Sequence, residues 1–200
     1  MPPDTPTTDP LDNFAAIAEA YCALIERFRS VPADVLLASV QPAIATLYAA
    51  GLALPPLPAP DAEDADEEEA DDLAPPWLGE ASGSAPPDPD HMAHADWWSL
   101  YKSLTAYLGP RNNYREIFDP YEPPSEKEVT GSLADDLADI YRDLLRGCRK
   151  WARGERTEAH WEWRFGLENH WGEHATGALR AIHCLAAWHS LPWPSPDGAV

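Results

Sequence analysis

Between residues 157 and 189 the chain keeps one helical phase from end to end. At about 100° per residue, His160, Trp163, Leu167, His170, Trp171, His174, Ala178, Ala181, Ile182, Leu185 and Trp188 fall within roughly 120°. That is the width of a core-facing stripe, while Trp161 and His183 project elsewhere. The stripe passes Gly166, Gly172 and Gly177 in register, which predicts one long C-terminal helix, with a break near Gly172 as the alternative geometry. Each glycine costs about 1 kcal/mol against alanine inside a helix, so such positions point to close approach by a neighbouring element.

The other patterned segments are helical too. Asp9-Pro10 reads as a cap followed by a first-turn proline, and Phe14, Ile17, Ala18, Tyr21, Leu24, Ile25 and Phe28 carry an amphipathic helix to about Arg29. A second helix begins near Pro32 on Val35, Leu36, Val40, Ile44, Leu47 and Tyr48, with Pro42 expected to kink or split it and Gly51 to stop it. A third starts at Asp90 or Asp96, shows Trp97, Leu100, Tyr101, Leu104 and Leu108 on one face, and ends at Gly109-Pro110. The fourth is capped by Ser132 with Asp135 three residues on, and runs on Leu133, Leu137, Ile140, Tyr141, Leu144, Cys148 and Trp151 to Gly154. No alternating strand pattern and no internal repeat is visible. The expectation is all-α: a bundle of about five mostly antiparallel helices with a long last helix. Residues 1–9 are expected to be a disordered N-terminus, 10–189 one domain, and 190–200 a proline-rich tail.

Two segments lack period. Residues 55–89 combine proline with the acidic run DAEDADEEEADD, too few apolar groups to offset the entropy of ordering, and read as a disordered linker inside the domain. Trp77 and Leu78 are its docking candidates. Residues 111–131 form a loop long enough to expect a function, anchored by Tyr114, Phe118 and Tyr121.

Charge narrows the partners. Of the net −20, twelve acids and no bases fall in residues 61–90, leaving −8 for the rest. No basic patch appears, so neither nucleic acid nor an anionic membrane surface is an expected partner. The opening MPPDTPTTDP has no basic n-region or apolar h-region, and no apolar run is expected to reach the roughly 18 residues of a membrane span, so a cytoplasmic location is expected. Cys22, Cys148 and Cys184 are scattered on helical segments with no CxxC pair, as for reduced thiols in helix packing.

The chemistry-bearing groups lie on the last two patterned segments. His170 and His174 are four residues apart on the inward stripe and, with Glu173, spell HxxEH, a motif of zinc proteases. The protease reading fails on its own terms, because no glutamate follows Glu173 to serve as a downstream ligand. Across the interface the fourth helix brings Asp136 and Asp143 to one border of its apolar face, while Asp135 and Asp139 are expected to point away. Asp136 or Asp143 is therefore placed to meet His170 or His174, as a buried hydrogen bond or as part of a metal site, zinc or another divalent ion. Trp98 and Trp161 fall off the stripes and are candidates for an exposed contact surface together with Tyr114, Phe118 and Tyr121.

The run SLADDLADIYRDLLRG at residues 132–147, the Trp163-x-Phe165 pair, HWGEH at 170–174 and ALRAIH at 178–183 resemble a bacterial all-helical family, domain of unknown function 5063. The likeness takes in the N-terminal helices and residues 94–189 but not the acidic linker. It implies a helical fold and supplies no catalytic residue. With no nucleophile–base pair or phosphate loop in view, the first functional expectation is a non-enzymatic protein-binding or adaptor module that needs no cofactor. The alternatives are a metal-binding, hydrolytic bundle using His170, His174, Glu173 and an aspartate of the fourth helix, and a small-ligand pocket lined by Trp163, Trp171 and Tyr141.

Overall fold

A computed structural model describes residues 9–57, 89–117, 121 and 129–191. Among them are helices α1 (Pro10–Glu26), α2 (Ala33–Leu52), α3 (His94–Leu108), α4 (Leu133–Ala152), α5 (Arg156–Asn169) and α6 (Trp171–Trp188), with strands β1 (Asn113–Glu116) and β2 (Val129–Ser132). The expectations for residues 1–8, for most of the acidic linker with Trp77 and Leu78, for Phe118 and for residues 192–200 fall outside the described residues.

Helix α4 is the centre of the bundle, packed by α1, α3, α5 and α6. Its local signals are strong. Ser132 Oγ accepts from the Asp135 backbone N–H, Asp135 and Asp136 complement the N-terminal dipole, and Arg149 and Lys150 complement the C-terminal one. Asp9 caps α1 in the same way, accepting from Leu11 N ahead of Pro10. Two tyrosines pin α1 to α4: Tyr21 donates to the carbonyl of Leu137 at 3.2 Å and Tyr141 donates to Glu26 Oε1 at 3.1 Å.

Several expectations are corrected. Pro42 neither splits nor ends α2, which runs unbroken over 20 residues; burial of Leu36, Val40, Ile44 and Leu47 on one face holds the register that proline would otherwise disturb. By length and composition α2 is apolar enough to cross a membrane, with a mean hydropathy of 1.6, so the sequence does hold such a run; here it packs on α1, α5 and α6. The stretch after α3 is not strand-free. β1 and β2 pair antiparallel, Tyr114 opposite Gly131. Tyr121, expected to anchor this loop, is 95% exposed. Leu191, just past α6, is buried, while Trp188, on the far end of the predicted stripe, is 73% exposed.

The long last helix is two. α5 ends and α6 begins at His170, whose backbone (φ −154°, ψ −80°) is not helical, two residues before the expected break. The reason lies in the packing of Trp171. The break turns its indole under α5, where it donates to the carbonyl of Trp163 at 3.0 Å, and onto Gly51 of α2. A Cβ on Gly51 would stand 2.9 Å from Cη2 of Trp171, and one on Gly166 would stand 2.7 Å from its Cδ1. Gly172 lies under the carbonyl of Leu167, with no room for a side chain.

The tryptophan-rich core is closely packed around two indoles. Trp163 and Trp171 are fully buried against Phe14, at ring separations of 5.1 and 6.2 Å, and a Cβ on Gly147 would overlap the Trp163 indole.

Candidate metal centre

Three aspartates of α4 follow each other at steps of three and four residues, Asp136, Asp139 and Asp143, and so share one face. That face is not left to solvent. The His170 corner and the first turn of α6 lie across it. His170 Nδ1 sits 2.7 Å from Asp143 Oδ2, and His174 Nδ1 sits 3.0 Å from Asp136 Oδ1. The two imidazoles meet edge to face, 4.9 Å between centroids. Asp136 receives a further hydrogen bond from the Tyr114 hydroxyl at 2.8 Å.

The glycines explain how Tyr114 gets there. Its ring crosses Gly131 on β2, where a Cβ would stand 2.5 Å from the ring, and its hydroxyl crosses Gly177 on α6, where a Cβ would stand 2.8 Å away. The hairpin therefore serves to deliver one phenol over α6 to α4.

Asp139 completes the group and corrects the expectation that it points away. It is buried at 6% exposure, its Oδ2 lies 3.6 Å from His174 Nε2, and its Oδ1 pairs with Arg142 at 2.7 Å. Arg142 also approaches Asp143 Oδ1 at 3.7 Å and lies over the Trp97 ring of α3. Asp139, His170 and His174 each offer a ligating atom within 4.8 Å of the other two.

The electrostatics are those of a negatively charged site. Burial holds the Asp136 and Asp139 carboxyls above the ordinary carboxylate range, against the opposing pull of His174 on the first and Arg142 on the second. Burial, aided by Asp139, also raises Asp135. Burial pulls His174 down, but its bond to Asp136 and the charges of Asp139, Asp136 and Asp135 outweigh that and place it at about 8. Burial pushes the Tyr114 hydroxyl up, which keeps it a donor.

The residues singled out from sequence thus divide. Asp136, Asp143, His170 and His174 come together, and Tyr114 joins them as a partner of Asp136. Glu173 is exposed on α6. Trp98 and Trp161 are exposed, at 45% and 43%, on α3 and α5. The spacing of Asp136, Asp139 and Asp143 was the signal for Asp139; what it could not tell was that α4 is covered on that side as well.

Among solved structures the chain is similar to the crystal structure of protein BF1032 from Bacteroides fragilis, with a TM-score of 0.66 at 18% identity over 90% of this chain and 94% of that one. That likeness speaks for the fold alone. No curated protein matches. Residues 6–188 match a sequence family described as a domain of unknown function, DUF5063.

Proposed function

The chain belongs to the family of domain of unknown function 5063, and we propose that this helical member binds a divalent transition metal, zinc foremost, between Asp139, His170 and His174. One observation carries the reading: both imidazoles have Nδ1 held by a carboxylate, His170 by Asp143 and His174 by Asp136. An ionised carboxylate at Nδ1 fixes the ring proton there and makes Nε2 the nitrogen that a metal takes, the carboxylate–histidine–metal arrangement of protein zinc sites.

Distances agree with that assignment. At 3.6 Å, Asp139 Oδ2 and His174 Nε2 are too far apart for a hydrogen bond. Two ligands held at about 2.0–2.2 Å on a tetrahedral ion stand roughly 3.3–3.6 Å apart, so this edge has the length the ion requires. All three ligating atoms lie within 4.8 Å of one another, a spacing that side-chain rotation would tighten around an ion. Charge favours a cation too. Asp136, Asp139 and Asp143 line the site, the charge of Asp135 acts on His174 as well, and Arg142 is the guanidinium that pairs with Asp139 there. Two nitrogens and one oxygen suit zinc and its neighbours better than magnesium or calcium, which prefer oxygen alone. Three protein ligands leave one position open for water or for a group brought by another molecule.

The test is metal analysis and calorimetric titration of chelator-treated protein prepared without a histidine tag. One equivalent of zinc bound by the wild type, and loss of binding in Asp139→Asn and in His170→Ala, is the expected result. Less than about 0.1 equivalent, or binding unchanged in both variants, overturns the reading.

A second reading, a protein-binding surface, is favoured by the aromatic stack on α3. Trp97, Trp98 and Tyr101 lie with centroids 5.2–6.1 Å apart, and Trp98 remains 45% exposed. Exposed aromatic anchors of this kind are typical of interface centres. A partner recovered by the wild-type chain and lost with Trp98→Ala supports it, and equal recovery by both counts against it.

A further inference from the structure

A shallow, open cleft lies between the 3-10 turn Phe28–Ser30 and α3. Its walls are Arg29, Ser99, Lys102, Ser103, Ala106 and Tyr107. This composition stands apart in a chain with 34 acidic and 14 basic side chains, for among the described residues no acidic one lines the cleft.

Both cations are held ready without being neutralised. Arg29 lies over the Phe28 ring at 5.2 Å and Lys102 lies over the Trp98 ring at 5.5 Å. A cation–π contact orients the side chain and leaves its charge and N–H donors for another group. Among the described residues neither forms an ion pair. Hydroxyls flank them: Ser99 and Ser103 are one turn apart on α3, so both stand on the same side as the cleft. Tyr107 packs its ring edge-on against Phe28 at 5.2 Å, and its hydroxyl is buried without a hydrogen-bond partner. A buried unpaired hydroxyl is costly, and in a cleft of this make-up it is the kind of group a ligand satisfies.

We propose that this cleft binds a small phosphomonoester, its phosphoryl oxygens taken by Arg29 and Lys102 and the hydroxyls of Ser99, Ser103 and Tyr107. Guanidinium and ammonium donors with neighbouring hydroxyls are the usual partners of a phosphoryl group. The cleft opens to solvent, so an organic portion can lie along the Ala106 and Tyr107 side. This site is independent of the metal centre, since it uses none of the residues on α4 or α6.

The experiment is an NMR and calorimetric titration of the full chain with phenyl phosphate and, separately, with inorganic phosphate, each at constant ionic strength. Saturable binding of phenyl phosphate is expected, with shifts centred on residues 28–30 and 99–107. Its affinity should exceed that of inorganic phosphate, and Arg29→Gln with Lys102→Gln should lower it about tenfold or more. Both of those side chains are exposed, so the double variant keeps its fold. Tyr107→Phe separates binding from structure: it should raise Tm, by removing an unpaired hydroxyl, while weakening phenyl phosphate. Absence of saturable binding, undiminished binding by the double variant, or inorganic phosphate binding at least as well as the ester overturns the proposal.

Discussion

Replacing His174 by glutamine tests the histidine–aspartate geometry through the pH dependence of stability in metal-free protein. The imidazole stands at about 8 in the folded chain, where Asp136, Asp139 and Asp135 surround it, against about 6.5 when exposed. A folded value raised above the unfolded one means that the folded state holds the proton longer. Its contribution is therefore complete below about pH 6.5 and is lost as pH rises through about 8. The interval corresponds to about 2 kcal/mol. Asp136 and Asp139 act with the same sign, because burial raises them too, but over a lower window that begins above the ordinary carboxylate value of 3.8. Urea unfolding followed by tryptophan fluorescence, with a chelator present, should show wild-type stability falling between pH 6 and 9. The His174→Gln chain should start lower by about 1–3 kcal/mol, for the lost hydrogen bond, and vary about 2 kcal/mol less across the same range. Parallel curves for the two proteins, or a wild type that gains stability over this interval relative to the variant, would refute the argument.

Other substitutions probe the packing and the support of the site. Gly147→Ala places a methyl into the Trp163 indole, which is fully buried and donates to Leu144 O at 3.2 Å, so a loss of about 2–4 kcal/mol by denaturant titration is expected. Gly177→Ala should push the Tyr114 hydroxyl off Asp136, and hydrogen exchange in β1 should rise while α1 and α2 are unaffected. Asp143→Asn leaves the three proposed ligands in place but removes the carboxylate that orients His170; zinc affinity should fall about 10–100-fold by calorimetry, with unfolding free energy changed far less. His183→Ala, on the exposed side of α6, should shift stability by no more than about 0.5 kcal/mol.

What was legible in the sequence and what was not separates along physical lines. Helix period, caps and the Asp9-Pro10 and Ser132 starts are local signals, and the elements built on them stand where the sequence puts them. The inward phase of His170 and His174 was local too, and so was the border position of Asp136 and Asp143. The break at His170 was not, because the residues that require it, Gly51 of α2 and the Trp163 carbonyl of α5, are apposed only by tertiary packing. Pro42 misled for the complementary reason, since burial of α2 outweighs the local penalty. The hairpin is four residues a side, too short to show an alternating pattern.

The burial of Asp139 follows from the same break and decides how the site should be understood. In a continuous helix the imidazoles of His170 and His174 would stack along one axis, one turn apart. The non-helical backbone at His170 instead sets its ring edge to face with that of His174, each over its own aspartate, with Asp139 between Asp136 and Asp143 on α4. A buried hydrogen bond that merely satisfied a histidine would need one carboxylate per ring. This cluster has two more, Asp139 and Asp135, whose ionisation burial opposes and which Arg142 offsets only on the Asp139 side. Holding excess carboxylates where they resist ionising costs stability, and a bound dication would offset that cost. Zinc should therefore stabilise the wild-type chain more strongly as pH rises from 6 to 8, as protons leave the same groups. A thermal shift with zinc that is flat across this range would show that protons and metal do not compete for them, and would locate the binding elsewhere.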